Sequence, residues 1–154
     1  MSADPTTVEP TEHPAVTLSE SATNFNWLID DFVAKTAGVT DAIAVSSDGL
    51  LIANSRSLAR EDAEQVAAIV TGMVSLADGA SRTFGFDGLQ QVIVSMKRGF
   101  MFVSSISLGS ALGVVATAGA DIGAIGYQTS LLVERAGELL TPELIAELRI
   151  SVLS

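Results

Sequence analysis

Apolar residues recur at two different spacings along this chain, and the changes of spacing divide it into helices and strands. From Asn26 onward the apolar positions follow a helical period, which predicts a helix that stops at Gly38. Two short apolar runs at 42–47 and 50–53 flank an Asp-Gly pair, which is a strong signal for a β-hairpin. The first third of the chain is therefore predicted to fold as helix, strand, strand.

A long helix is predicted over residues 58–83, with Ser57 as its N-terminal cap. Its apolar residues form one broad stripe, as a helix that packs against a core requires: Ala63, Val66, Ala67, Val70, Met73, Val74, Ala77 and Ala80. Ile69 and Leu76 fall beside that stripe and make the apolar surface wider than one core contact needs. The extra width indicates either a contact with a second molecule or burial on two sides within the monomer.

Three further strands are predicted at 89–96, 100–107 and 111–118, followed by a helix over 121–140 and a short final helix. Strands that are joined by short turns pair antiparallel, and several of these are apolar on both sides of the pleat. The sequence therefore predicts an α/β (α+β) sandwich, in which a five-stranded, mostly antiparallel sheet carries helices on both faces. The predicted order is α-β-β-α-β-β-β-α, with the short helix last.

The two ends of the chain differ from this core. Residues 1–23 are rich in Pro, Thr, Ser and Glu and poor in large apolar groups, so we predict a disordered acidic tail there. The folded domain is expected at 24–140, and a C-terminal extension at 141–154 contains the short helix, which a Thr-Pro pair opens. Because the N-terminus lacks a signal-peptide pattern, a cytoplasmic protein is expected. The uncharged stretch 99–120 has a polar middle that predicts a turn, so no membrane insertion is expected.

Composition and charge argue against several functional classes. A net charge of −10 argues against binding to nucleic acid, which requires clustered Lys and Arg. The chain has no cysteine, and its single histidine, His13, lies in the predicted tail. The predicted folded domain therefore has neither a Ser-His-Asp triad nor a cysteine-based metal site. We expect a protein without cofactor or enzymatic activity, which acts through its surfaces.

The stretch ATAGADIGAIG at 116–126 raises the question of a phosphate-binding loop. A Walker loop ends in Lys-Ser or Lys-Thr, but no lysine follows Lys97, and a dinucleotide fingerprint has a different glycine spacing. Asp121 is well placed to cap a helix, and its charge would repel a phosphate. The stretch is therefore predicted to be a helix entrance, in which Gly123 and Gly126 allow a close approach to the sheet.

Five motifs follow one another in an order that points to a known family. They are WLIDDF at 27–32, SSDGLL at 46–51, SLAREDAE at 57–64, DIGAIGY at 121–127 and LLVER at 131–135. Together they resemble the Roadblock/dynein light chain family, and more closely its actinobacterial conservon branch. The resemblance extends over most of the chain, from residue 24 to residue 149.

The resemblance implies an obligate homodimer. In this family the second helices pack antiparallel, and the third strands join edge to edge into one continuous sheet. On this chain the implied dimer interface comprises Val66, Ile69, Val70, Met73, Leu76, Gln91, Val92, Ile93, Val94 and Ser95. A second chain at this place would also account for the wide apolar surface of the long helix.

The resemblance further implies a partner of the small Ras-like GTPase class, or a scaffold role in larger complexes. A bacterial relative in gliding motility accelerates GTP hydrolysis by its partner without inserting a catalytic arginine. Conservon proteins are encoded beside a sensor-kinase-like membrane protein and a GTPase. The surface expected to face the GTPase comprises Gln65, Ala68, Gly72 and Ser75. The expected role is a non-enzymatic regulator or scaffold, recruited to the membrane through its partners.

A small-ligand sensor domain of the PAS type is the alternative interpretation, because such domains also place helices over an antiparallel sheet. That function requires a pocket with convergent polar groups. Four small residues would leave room for one: Gly109, Ala111, Gly113 and Ala116.

Overall fold

Helices and strands follow one another in the predicted order in the computed structural model, which describes residues 18–153. The helices are α1 (Glu20–Lys35), α2 (Arg60–Phe84), α3 (Ile122–Leu139) and α4 (Pro142–Leu153). The strands are β1 (Val39–Val45), β2 (Leu51–Asn54), β3 (Gln91–Met96), β4 (Gly99–Ser105) and β5 (Ala111–Thr117). The predicted fold class is confirmed.

The five strands form one sheet in the order β2-β1-β5-β4-β3, and every neighbouring pair is antiparallel. The hairpin of β1 and β2 turns at Asp48-Gly49, as the sequence predicts. The pairing of β1 with β5 joins this hairpin to the three-stranded meander, with Ile43 opposite Gly113. The two edges of the sheet are therefore β2 and β3.

Two apolar cores lie on opposite faces of the sheet. The first packs α1, α3 and α4 against one face and contains Phe25, Phe102 and Leu148, which are fully buried. The second packs α2 against the other face, with Ile43 and Val103 at its base. This two-sided burial explains why the strands are apolar on both sides of the pleat.

The approach of α2 to the sheet depends on Gly113. A Cβ atom at this position would lie 2.7 Å from Cγ2 of Val70 and 3.4 Å from Cγ1 of Ile43. A side chain at this position would force Val70 to shift or the helix to move away from the strand. Gly113 thus sets the distance between α2 and β5.

We expect Gly113→Val to lower the free energy of unfolding by about 1–3 kcal/mol, because overpacking a close helix–sheet contact forces side chains off their rotamers. Urea denaturation followed by circular dichroism measures the change. Gly119→Val is the matched control, since a Cβ at Gly119 meets no atom within 4 Å. Equal stabilities of the two variants would show that α2 shifts freely over the sheet.

The first helix begins earlier than the sequence predicts. Its N-terminal cap is Ser19, whose Oγ accepts a hydrogen bond from the backbone N–H of Ala22 at 3.1 Å. Ala22 and Phe25 are fully buried, so these early turns belong to the core. The expected domain start near residue 24 is therefore wrong, and so is the predicted disorder for residues 20–23. The predicted tail over residues 1–17 lies outside the described residues.

The end of α1 also differs from the prediction. The helix ends at Lys35, and Thr36 occupies the C-terminal cap position with an extended backbone. Gly38 adopts a φ of 88° in the turn that leads to β1. The glycine therefore shapes the turn after the helix instead of ending the helix itself.

The predicted cap of α2 is wrong as well. The helix begins at Arg60, and its cap position, Ala59, makes no side-chain hydrogen bond. Ser57 lies outside the helix, where its Oγ is 2.8 Å from the carbonyl oxygen of Thr40 and 2.7 Å from Oδ1 of Asp41. The Ser57 hydroxyl therefore ties the entrance of α2 to β1 instead of capping the helix.

The glycine-rich stretch before α3 is a helix entrance, as predicted. Asp121 caps the helix by accepting a hydrogen bond from the backbone N–H of Ala124 at 3.1 Å. A Cβ at Gly126 would lie 3.2 Å from Oε1 of Gln91, so this glycine does allow close approach to β3. Gly123 does not, because the one atom near its Cβ position is Oδ1 of Asp121.

The last helix packs against β2. Leu144 and Leu148 are buried in the first core, and Val152 reaches the second. Thr141 caps α4 as predicted, with Oγ1 accepting from the N–H of Leu144 at 3.0 Å. Among residues 18–153, the helices are too short or too polar to cross a membrane.

Two carboxylates hold α4 in place. The carboxylate of Glu147 accepts hydrogen bonds from the N–H and the Oγ of Ser19, at 2.7 and 2.8 Å, and these bonds lower the pKa of Glu147. Two residues further along α4, the side chain of Arg149 lies 3.2 Å from the carboxylate of Asp48. The pKa of Asp48 is lowered chiefly by the hydrogen bond from Ser46, and also by Arg149. Both contacts link α4 to neighbouring elements, so α4 covers the β2 side of the sheet.

Candidate dimer and partner interface

One side of α2 exposes apolar side chains next to its core-facing stripe. The side chain of Ile69 is 45% exposed and that of Leu76 is 79% exposed, while Val66 and Met73 are half-buried. We call a line of residues along this side of α2 the seam. Its members are spaced alternately three and four residues apart, as in the contact line of paired helices: Val66, Ile69, Met73, Leu76 and Ala80. The extra width that the sequence showed on this helix is therefore not burial within the monomer.

Val70 is the exception among the predicted interface residues on α2. Its side chain is fully buried and lies against Gly113. It belongs to the second core, so a second chain cannot contact it. The sequence pattern did not separate Val70 from Ile69 and Met73 because all three lie within one broad apolar arc.

The strand β3 presents an open edge. Within the described residues it pairs with β4 alone, and neither a proline nor a charge interrupts it. Val92 and Val94 pack on the α2 side, whereas Ile93 points to the opposite face and is 47% exposed. Gln91 donates a hydrogen bond to Oγ of Ser104 at 3.3 Å, and Ser95 is exposed. An unprotected edge of this kind is a template for another strand.

The four residues predicted to face a GTPase lie on α2 outside its buried stripe. None of them is buried: Gln65, Ala68, Gly72 and Ser75. A Cβ at Gly72 would meet no atom within 4 Å, so packing within the described chain does not explain a glycine there. A glycine in the middle of a helix costs about 0.5–1 kcal/mol relative to alanine. This face, which we call the outward face of α2, is therefore exposed, and the described chain does not cover it.

The sequence reasoning missed two aromatic residues. Phe84 and Phe86, at the end of α2, stack with 5.5 Å between ring centroids and are 67% and 72% exposed. The signal was present as Phe-Gly-Phe directly after the helical stripe. It was missed because the hydrophobic pattern was followed only as far as the predicted end of the helix.

Acidic residues on α1 have structural partners. Asp30 lies 3.3 Å from the side chain of Arg56 and accepts from its backbone N–H at 2.9 Å, and Asp31 pairs with Lys35 at 3.0 Å. In the part of the chain that the structure describes, no group of three or more acidic residues or histidines could hold a metal ion. His13 lies outside that part.

The small residues proposed to line a ligand pocket leave no open space beside them. A Cβ at Gly109 would lie 2.9 Å from that of Ser47, and the space beside Gly113 is filled by Val70. Ala111 and Ala116 are buried among apolar neighbours. The room that the sensor interpretation requires at these four positions is therefore absent.

Comparison with known proteins agrees with this architecture. The Roadblock/LC7 domain model matches residues 25–116. A Roadblock/LC7 domain from Streptomyces avermitilis is 32% identical, with a TM-score of 0.67 over 71% of this chain and 92% of that one. No curated protein matches the chain.

Two further structures share the fold at low identity. MglB from Myxococcus xanthus is 15% identical, with a TM-score of 0.72 over 82% of this chain and 97% of that one. The gliding protein MglB from Thermus thermophilus is 14% identical, with a TM-score of 0.71 over 84% and 97%. The domain model covers more than half of the chain, and the Streptomyces domain matches it at higher identity. The chain therefore belongs to the Roadblock/LC7 family.

Proposed function

We propose that this protein is a non-enzymatic, homodimeric regulator or scaffold of a small Ras-like GTPase. The observation that carries the proposal is the combination of an exposed apolar seam on α2 with the open edge of β3. The seam leaves apolar side chains exposed, and the edge of β3 leaves backbone N–H and C=O groups unpaired within the described chain. A second copy of the chain would cover both. Family membership supports the same arrangement.

A two-fold dimer accounts for both features at once. Antiparallel pairing of β3 with its copy would satisfy the outer N–H and C=O groups of the strand and give one ten-stranded sheet. The two α2 helices would then cross on the same face, with Ile69, Met73 and Leu76 between them. Ile93 would lie beside the strand junction on the opposite face.

The GTPase is proposed to bind the outward face of the paired helices. Small residues such as Ala68 and Gly72 allow the backbone of a partner to approach closely, and Gln65 offers an amide for hydrogen bonding. None of the four residues on this face can act as a general acid or base. An effect on hydrolysis would therefore arise by positioning the catalytic groups of the GTPase itself.

The proposal extends to a membrane-associated signalling complex. A sensor-kinase-like membrane protein, as the family resemblance implies, would recruit this cytoplasmic dimer together with its GTPase. The C-terminal helix α4 lies on the β2 side of the sheet, away from β3. It thus leaves the seam of α2 and the edge of β3 free for the contacts proposed here.

Calorimetric titration of this protein into the GTPase encoded nearest its own gene tests the proposal. The GTPase is loaded in turn with GDP and with a non-hydrolysable GTP analogue. We expect tighter binding to the GTP-like form, at one dimer to one or two GTPases. Absence of heat with both forms, from a well-folded dimer, would contradict a role in binding this GTPase.

A further inference from the structure

The aromatic pair at the end of α2 is preformed. Gly85 ends the helix with a φ of 69°, and the N–H of Phe86 donates to the carbonyl oxygen of Ser81 at 2.9 Å. The N–H of Gly88 donates to Oγ of Ser81 at 2.7 Å. These bonds hold Phe86 beside Phe84 without any contribution from a partner, so the stacked rings present a fixed apolar surface.

The pair lies beyond the contact of α2 with its own core. Val74 is the last apolar residue of α2 that packs against the second core. The ten residues that follow extend the helix by about 15 Å, at 1.5 Å per residue. Leu76 and Phe84 on this segment are exposed. The segment therefore projects an apolar surface that its own chain does not cover.

We propose that the Phe84–Phe86 pair docks on the first turns of α2 in a second copy of this chain. The inference rests on the homodimer of the proposed function. In an antiparallel pair, the last turns of each helix lie beside the first turns of the other. At that end, Leu58 and Val66 are apolar side chains that the second core buries only in part, and their exposed parts form the proposed receiving surface. The aromatic pairs of the two chains thus close the two ends of the seam.

Two features of the aromatic pair favour a second copy of the chain over another partner: the pair continues the seam, and its side chains are large. The pair follows directly on the seam residues of α2, so one surface runs from Val66 to Phe86. A stable interface buries about 800 Å² on each partner. Each exposed aromatic side chain can add about 150–250 Å² to the area that the proposed dimer buries.

The double variant Phe84→Ser/Phe86→Ser tests the inference by analytical ultracentrifugation. We expect the dissociation constant of the dimer to rise at least about tenfold, or about 1.4 kcal/mol, with an unchanged far-ultraviolet circular dichroism spectrum. Phe86→Ser alone provides a second variant that leaves α2 intact, because this residue lies outside the helix. Trp27→Ser, which removes a 56% exposed aromatic from α1, is the matched control and should dimerise as the wild type does.

The ultracentrifugation experiment distinguishes a failure of the homodimer proposal from a failure of the proposed docking of the aromatic pair. A wild-type chain that is monomeric at micromolar concentration would overturn the homodimer and this inference together. A dimeric wild type whose dissociation constant is unchanged in the double variant would overturn this inference alone. Loss of GTPase binding with unchanged dimerisation would also overturn it, because the aromatic pair would then belong to the partner surface.

Cross-linking gives an independent test, since the chain has no cysteine. Asp62→Cys and Phe86→Cys chains are mixed, allowed to exchange and treated with a short bis-maleimide. We expect cross-links between the two different chains to exceed those between two Phe86→Cys chains. If cross-links between two Phe86→Cys chains predominate, the aromatic ends of the two helices lie beside each other. That result would contradict docking on the first turns of the partner's α2.

Discussion

Leu76→Asp is expected to convert the proposed homodimer into a monomer that keeps its fold. Leu76 is 79% exposed in the single chain, so the substitution removes little packing from the monomer. In the proposed dimer, the same position lies between the two chains, where two unpaired carboxylates would lose their hydration. We expect the dissociation constant to rise at least about 100-fold, or about 2.7 kcal/mol. Analytical ultracentrifugation measures the change.

Leu153→Asp is the matched control for this experiment. Leu153 is 78% exposed and lies at the end of α4, near Glu64 on the side of α2 that faces away from the seam. The same change of side chain at nearly the same exposure should leave the dimer intact. A Leu76→Asp chain that stays dimeric at micromolar concentration would show that the exposed side of α2 is not the dimer seam.

Gly72→Arg is expected to weaken GTPase binding while the proposed dimer persists. The outward face at Gly72 has open space in which an arginine side chain would project toward the partner. We expect binding to weaken at least about tenfold in the calorimetric titration, or about 1.4 kcal/mol. Arginine is also a better helix former than glycine by about 0.6–0.8 kcal/mol, so the variant should be more stable. Loss of binding together with a gain in stability separates the partner surface from the fold.

Gly119→Arg is the matched control, because a Cβ at Gly119 also meets no atom within 4 Å. This residue lies before α3 and outside the proposed partner surface. It should bind the GTPase as the wild type does. A Gly72→Arg chain with unchanged affinity would contradict the outward face of α2 as the binding surface. Dissociation of its dimer would instead place Gly72 within the seam.

Local signals in the sequence were sufficient where a residue acts on its own neighbours. The turn at Asp48-Gly49 and the caps Asp121 and Thr141 form as predicted. Each depends on residues within four positions of one another, so its chemistry can be read from a short window. The same reasoning excluded a phosphate-binding loop before α3, and the family resemblance agrees with the match to the Roadblock/LC7 model.

Local sequence signals gave wrong predictions where an element that is distant in sequence contacts the same side chain. Ser57 has the side chain of a helix cap, but its hydroxyl lies against β1. Residues 20–23 are poor in large apolar groups, yet Ala22 is buried because α1 packs into the first core. Val70 lies in the same apolar arc as Met73, but it packs into the core against Gly113. The placement of the predicted interface on a second chain remains a prediction.

The sequence by itself determined the number, type and order of the elements, because hydrophobic period, turns and caps are local. It also restricted the chemistry, since the described part of the chain contains neither cysteine nor histidine. Only the tertiary structure decided the strand order, in which Ile43 of β1 lies opposite Gly113 of β5, far along the chain. That order places β3 at an open edge and leaves one side of α2 uncovered. Such features depend on which distant segments meet, and no short window of sequence contains that information.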